Sequence, residues 1–320
     1  MQMLRMIVVV LSAGLLIVAA HEVAGQAYPS KPIQIVVSEP GGGSDLAARL
    51  IGAIISPRLG QPIVIENRQT FIGTLAVAKA APDGYTLLIN GQIVWVMPLL
   101  QTAAQWDAIR DFAPITLVTV APLVLMVHPS LPVNTVSELI ALAKANPGKL
   151  NYSTTGPGTP PQFAAELLKA MAGVNIVQVN YKSTALALNA IIAGEIDVNF
   201  ANVVPAVTQM KSGKLRALAV TTAKPSPLFP GLPAVAASGL PGYESAAIIG
   251  MYAPGRTPDA IISQLNEEVV RALEDTTLKE KLRATGTEVV SSSPEQLAAT
   301  MKADMARVEK VIKMQGIHID

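Results

Sequence analysis

Short apolar runs alternate with amphipathic segments along most of the chain, and glycine, proline and aspartate separate them. Ile33–Val37 is rich in β-branched residues and predicts a buried strand, and residues 41–45 then open a helix. The sequence TVSE at residues 135–138 predicts a capping box, and TPPQ at residues 159–162 predicts a second one. These signals place strands and helices in alternation.

The same patterns predict most of the remaining elements. We expect strands over residues 63–65, 85–89, 175–180, 196–200 and 215–221, and helices over residues 184–193, 205–211, from 257 onward and 293–311. The apolar stretch at residues 113–127 contains two prolines and two threonines and is not a membrane span. Alternation of this kind implies mainly parallel sheets, which bind ligands at the carboxyl ends of their strands.

The N-terminal segment has the pattern of a secretory signal peptide over residues 1–27. Arg5 supplies the positive charge, residues 7–20 form an apolar run, and Gly25 and Ala27 are the small residues before the expected cleavage point. The run is shorter than the roughly 20 residues that a membrane-spanning helix needs. A retained membrane anchor is the alternative. We expect cleavage near Ala27 and export of the mature chain.

Charge and cysteine content exclude several classes of function. The 320 residues carry a formal net charge of +1, so no overall field favours nucleic acid or an anionic membrane surface. The chain contains no cysteine, which excludes disulfides, thiolate zinc sites, iron–sulfur clusters and a cysteine nucleophile. We expect no cofactor, no metal site and no nucleic-acid partner.

Two loops have the composition of anion-binding sites. Residues 38–45 have the sequence SEPGGGSD, and residues 153–159 have the sequence STTGPGT; each joins a predicted strand to a predicted helix. Glycines let backbone N–H groups approach a ligand, and a helix N-terminus favours negative charge. Either loop alone could be a tight turn with a helix cap. Together they predict a small anion held without dedicated cationic side chains.

Other residues that could contact a ligand or take part in catalysis also have a purely structural interpretation. Asp45 either stabilises its helix N-terminus or touches the ligand, and Lys182 is either solvated or a carboxylate partner. Trp95 and Trp106 fit core packing better than stacking on a ligand. His128 fits a structural residue at the end of a strand better than a base or a ligand.

Signatures of catalysis are mostly missing from the chain. No serine stands in a G-x-S-x-G motif, no Walker loop is present, and the mature segment contains only His128 and His318. An exported hydrolase that uses Ser44 or Ser153 would therefore need a serine–lysine arrangement. We expect a protein that is not an enzyme.

Several motifs, taken together, resemble one family of receptors. They are YPSKPI at 28–33, the loop at 41–45, LGQP at 59–62, ENR at 66–68, AKAAPDGYTL at 78–87, PGKLNY at 147–152, YK at 181–182, GKLRALA at 213–219 and GLPGYE at 239–244. The mature chain resembles the substrate-binding receptors of tripartite tricarboxylate transporters, the Bug family of periplasmic solute-binding proteins. The first loop departs from the family pattern because it is shorter and contains Glu39.

The resemblance implies a fold and a domain division. The fold would be the α/β, two-domain periplasmic binding protein fold (type II-like), in which each domain is a mainly parallel sheet flanked by helices and the ligand cleft lies between them. Residues 28–126 and 248–320 would form domain 1, and residues 127–247 would form domain 2. Two crossovers of the chain would act as the hinge.

The resemblance also implies a function and a set of binding residues. A monomeric periplasmic receptor would capture a small organic carboxylate and deliver it to the membrane permease subunits of a tripartite transporter. A sensory receptor that passes its signal to a membrane kinase is the alternative. The expected ligand-binding residues are Ser38, Glu39, Gly41, Gly42, Gly43, Ser44, Asp45, Asn90, Gln92, Ser153, Thr154, Thr155, Gly156, Gly158, Thr159, Tyr181 and Asn202.

Overall fold

A computed structural model describes residues 28–38, 40–100, 104–156 and 159–315 of the chain. The expected signal peptide and two expected binding residues, Glu39 and Gly158, lie outside these ranges. No helix within them is both long enough and apolar enough to cross a membrane.

The elements follow in the alternating order that the sequence predicts. The strands are β1 Ile33–Val37, β2 Ile63–Asn67, β3 Thr86–Gly91, β4 Phe112–Val127, β5 Asn151–Thr154, β6 Val177–Asn180, β7 Val198–Asn202, β8 Arg216–Val220, β9 Ala246–Pro254 and β10 Glu288–Val289. The helices are α1 Gly43–Leu59, α2 Thr70–Ala78, α3 Ile93–Leu100, α4 Val136–Ala145, α5 Pro160–Ala172, α6 Thr184–Ile192, α7 Val203–Ser212, α8 Asp259–Leu273, α9 Thr276–Ala284 and α10 Pro294–Gln315. A short 3₁₀ helix spans Val235–Ser238.

The strands form one mixed sheet with two parallel blocks. Its order is β2-β1-β3-β9-β4-β7-β5-β6, and β8 and β10 pair with β4 beside this path. Strands β2, β1 and β3 are parallel to one another, as are β6, β5 and β7. The long strands β4 and β9 pair antiparallel and join the two blocks. The parallel blocks agree with the prediction, whereas β9 was not predicted.

Strand β4 connects the two blocks because it changes partner along its length. Its residues from Phe112 to Pro122 pair with β9, and its residues from Leu123 to Val127 pair with β7. Pro114 stands at a shift in the register, and Pro122 stands where the partner changes. Proline has no N–H to donate, so it fits a strand only at such irregular positions.

Each block has its own aliphatic core. Beside the first block, Ile35 and Leu87 of the sheet pack against Ile51 of α1 and Leu265 of α8, all fully buried. Beside the second block, Leu125 and Tyr152 pack against helices α4 and α5. Complete burial of each such side chain stabilises the fold by about 1.5–3 kcal/mol.

Of the two predicted N-terminal caps, the one at Thr135 is confirmed and the one at Thr159 is wrong. The Thr135 hydroxyl accepts a hydrogen bond from the backbone N–H of Glu138 at 3.1 Å. The side chain of Thr159 does not cap helix α5; its hydroxyl donates to the Gly156 carbonyl at 2.9 Å. Gln162 donates to Gln178 at 3.2 Å. The Thr159 hydroxyl therefore holds the second loop and does not cap the helix that follows.

Candidate functional site

The first candidate loop follows β1 and leads into α1. Gly42 is the N-cap of α1 and provides no side-chain cap, so the first-turn N–H groups are available to a ligand. Gly41 has a φ of 79°, a left-handed conformation that favours glycine. Its N–H donates to the Asp45 carboxylate at 3.0 Å, which fixes the turn ahead of the helix.

Asp45 is buried at the base of this loop and has several partners there. Its carboxylate accepts from Asn67 Nδ2 at 2.9 Å and pairs with Arg49 at 2.9 Å. Asn67 also donates to the Ser38 carbonyl at 2.9 Å. The Arg49 hydrogen bond is the main cause that lowers the pKa of Asp45 to about 2, with further lowering from Gly41 and Asn67. Asp45 is thus an ionised residue that holds the loop in place.

Asn90 and Gln92 lie at the end of β3, next to the end of β1 in the parallel block. Asn90 Nδ2 donates to the Thr74 hydroxyl at 3.1 Å, and Gln92 Nε2 donates to Asp304 at 2.9 Å. Asp304 also accepts from the indole of Trp95 at 2.7 Å. Trp95 and Trp106 are buried in the core, as predicted.

The second candidate loop follows β5. Ser153 and Thr154 are buried at the end of this strand, and the Asn199 amide donates to the Ser153 hydroxyl at 2.8 Å. The hydroxyls of Thr154 and Thr159 lie 3.0 Å apart and close the loop. Helix α5 begins with two prolines, which have no N–H. This loop therefore offers hydroxyls and loop amides, and α5 contributes little to anion binding.

A small recess with a cavity volume of about 30 Å³ lies at the carboxyl ends of β5 and β7. Of the expected residues, Ser153, Thr154, Thr155 and Asn202 line it. Asn202 is the N-cap of α7 and provides no side-chain cap, so this helix directs its positive end at the recess. The sequence pattern predicts that the helix N-terminus beside the second loop is that of α5.

The structure does not bring all the expected residues together at this recess. The described part of the first loop, Asn90 and Gln92 belong to the other parallel block and do not line it. Tyr181 supports the second loop through its N–H, which donates to the Thr154 carbonyl at 2.8 Å. Sequence reasoning missed Asn199 and Thr184, which do line the recess. Asn199 could have been found as the polar residue within the apolar strand β7.

Comparison with known proteins identifies the family to which the chain belongs. A family model described as the tripartite tricarboxylate transporter family receptor matches residues 47–317. The chain belongs to this receptor family. The resemblance inferred from the sequence motifs is therefore confirmed.

Several relatives of this receptor align with it over most of its length and most of their own. The protein BugT of Bordetella pertussis is 31% identical, over 93% of this chain and 93% of its own. The R. palustris protein Rpa4515, solved with adipate, is 36% identical over 91% of this chain and 99% of its own, with a TM-score of 0.73. MatC from Rhodopseudomonas palustris, solved with malate, is 31% identical over 89% and 100%, with a TM-score of 0.71.

These likenesses confirm the expected fold class. The receptor has the α/β fold of periplasmic binding proteins, a description also carried by BugD, which is 31% identical with a TM-score of 0.71. In this fold the loops at the carboxyl ends of parallel strands are the ordinary ligand site. Both candidate loops of the receptor lie at such ends.

Proposed function

We propose that this receptor captures a small organic carboxylate between its two halves and delivers it to the permease subunits of a tripartite transporter in the membrane. Domain 1 would comprise residues 28–126 and 248–320, and domain 2 residues 127–247. The first loop would bind from domain 1 and the second loop, with the recess, from domain 2. Closure of the domains around the ligand would bring together groups that lie apart in the free protein.

The observation that carries this proposal is the pair of uncapped helix N-termini at the two loops. Gly42 begins α1 and Asn202 begins α7, and neither helix has a side-chain cap. The helix dipole and the first-turn N–H groups, which no N-cap side chain occupies, favour an anion at both positions, and α7 offers fewer such groups because Pro205 has none. Hydroxyls of Ser153 and Thr154 add neutral donors beside α7.

A carboxylate is the anion that the relatives favour. Two structures that are 31% and 36% identical to this chain hold malate and adipate. Both are small organic acids, and a carboxylate oxygen accepts well from backbone amides and hydroxyls. Within the site, Asp45 would orient the first loop, and Asn90, Gln92, Tyr181 and Asn202 would shape the cleft.

We infer that the receptor binds its ligand without chemical change. The Ser153 hydroxyl accepts a hydrogen bond from the Asn199 amide, which cannot act as a general base. A serine without a base is a weak nucleophile. Turnover of an ester panel that disappears in Ser153→Ala would contradict this inference.

We also propose that the receptor is exported and works in the periplasm. Residues 1–27 would direct export and be removed near Ala27, leaving a monomer in the periplasm. Mass spectrometry of protein recovered from the periplasm tests this, because the mature chain should begin at Tyr28. Retention of residues 1–27 in the membrane fraction would contradict it.

Thermal unfolding in the presence of a carboxylate panel tests the proposed function. Ligand at 100 times its dissociation constant stabilises a protein by about 2.7 kcal/mol, so a bound acid raises the melting temperature clearly. We expect at least one small carboxylate to do so. A shift with sugars or cations, and with no carboxylate, would contradict the proposal.

Two glycine variants test whether the first loop takes part in carboxylate binding. Gly41 and Gly60 lie at opposite ends of α1, both are left-handed, and a Cβ atom at either position meets no atom within 4 Å. Alanine at each should cost about 1 kcal/mol of stability. Only Gly41→Ala should also weaken carboxylate binding, because only Gly41 lies in the loop. Equal affinities of Gly41→Ala and Gly60→Ala would place the ligand elsewhere.

A further inference from the structure

The recess at β5 and β7 has an uncharged lining on every described side. Its residues are hydroxyl, amide and apolar residues, and none of them is Asp, Glu, Lys or Arg. The apolar residues are Pro161, Ala187, Leu188, Phe200, Ala201 and Pro205. This composition indicates which class of carboxylate the recess favours, an inference that rests on the proposed function.

An ammonium group would be poorly accommodated in such a recess. A cation taken out of water needs a carboxylate or several acceptors, and otherwise the desolvation penalty is not offset. The uncapped N-terminus of α7 at Asn202 directs a partial positive charge at the same space, which repels a cation further. Both effects act against a ligand that carries an amino group.

A hydrocarbon body would be accommodated well. Leu188 lies on α6, is half-buried and packs against the apolar cluster that includes Ala201 and Val203. Its exposed portion lines the recess together with Ala187. Contact between this surface and methylene or ring carbons removes apolar area from water on both sides, which favours binding.

We propose that the receptor selects carboxylates that lack an amino group and have a hydrocarbon body, with Leu188 as a residue that determines this specificity. The hydroxyls and the α7 N-terminus contact neutral or anionic groups of the ligand, and the apolar surface that includes Leu188 contacts its carbon chain. Amino acids of the same length bind more weakly.

Matched pairs of acids test the proposal by titration calorimetry on the unmodified mature protein. Adipate is compared with aminoadipate, and succinate with aspartate, since each pair differs by one ammonium group. We expect the member without the amino group to bind roughly tenfold tighter or more in each pair. Equal or tighter binding of the amino acids would overturn the selectivity and leave the carboxylate receptor intact. Binding of none of these acids, nor of any other carboxylate, would overturn the proposed function with it.

Two leucine variants test the role of Leu188. Leu188→Asn should weaken adipate binding about tenfold, because a polar amide replaces the apolar surface. Leu186→Asn is the matched control: Leu186 lies on the same helix, is 49% exposed and does not line the recess. It should leave the affinity unchanged. The same loss in both variants, or in neither, would contradict the assignment of Leu188.

Discussion

Replacement of Asp45 by asparagine tests whether one buried carboxylate organises the first loop. Asp45 accepts hydrogen bonds from Gly41 and Asn67 and pairs with Arg49, and these contacts lower its pKa from 3.8 to about 2. Such a shift corresponds to about 2 kcal/mol at pH 7. Arg49 is half-exposed, so solvent screening reduces the expected loss in Asp45→Asn to about 1–2 kcal/mol.

The pH dependence separates the charge from the shape of the side chain. Because the folded pKa is depressed, the stabilisation is fully present above pH 4 and is lost as the pH falls toward 2. Urea denaturation of both proteins at pH 7, 4 and 3 measures it. We expect the difference in free energy of unfolding to fall to about half its neutral value by pH 3.

A matched control for this variant lies at the start of α8. Asp259 is exposed in the first turn of that helix, and Asp259→Asn should change stability by less than about 0.5 kcal/mol. The role of the Asp45 charge would be contradicted if the loss in free energy of unfolding in Asp45→Asn were the same at pH 7 and pH 3. A loss no larger than that in Asp259→Asn would contradict it as well.

Three further substitutions, each measured by urea denaturation, test buried polar contacts in the two cores. Trp95→Phe removes the indole that donates to Asp304 at 2.7 Å and should cost about 2 kcal/mol; a neutral change would contradict the contact. Tyr252→Phe should leave stability unchanged or raise it by up to about 1 kcal/mol, because the buried hydroxyl has no hydrogen-bond partner among the described residues. Glu166→Gln should cost roughly 1–3 kcal/mol, since it removes the buried charge that pairs with Lys169 Nζ at 2.7 Å, and an unchanged midpoint would count against that ion pair.

Periodicity predicted the parallel blocks well because their signals are local. Strand β1, the Pro160 start of α5 and the left-handed Gly173 that ends α5 are all encoded within a few residues. The long antiparallel strands were harder to predict. Residues Phe112–Val127 contain two prolines, and their extended conformation depends on pairing with β9 and β7, which lie far away in the sequence.

The candidate site was predictable in outline and not in detail. The two loops were found because glycine and hydroxyl residues cluster between strand and helix signals. The contribution of α7 was missed, because the availability of its N-terminus depends on the lack of a side-chain cap at Asn202. Likewise the wrong capping box at Thr159 arose because its hydroxyl forms a hydrogen bond to Gly156, a choice that only the folded loop shows.

A crystal structure of the receptor with the tightest-binding acid of the panel would show where the ligand lies and which groups hold it. We expect the acid to lie between the two halves, with its carboxylate against the amides of residues 42–44 or the hydroxyls of Ser153 and Thr154, and with its carbon chain against the apolar residues of the recess. An acid bound away from both loops, or held mainly by lysine or arginine side chains, would contradict this expectation.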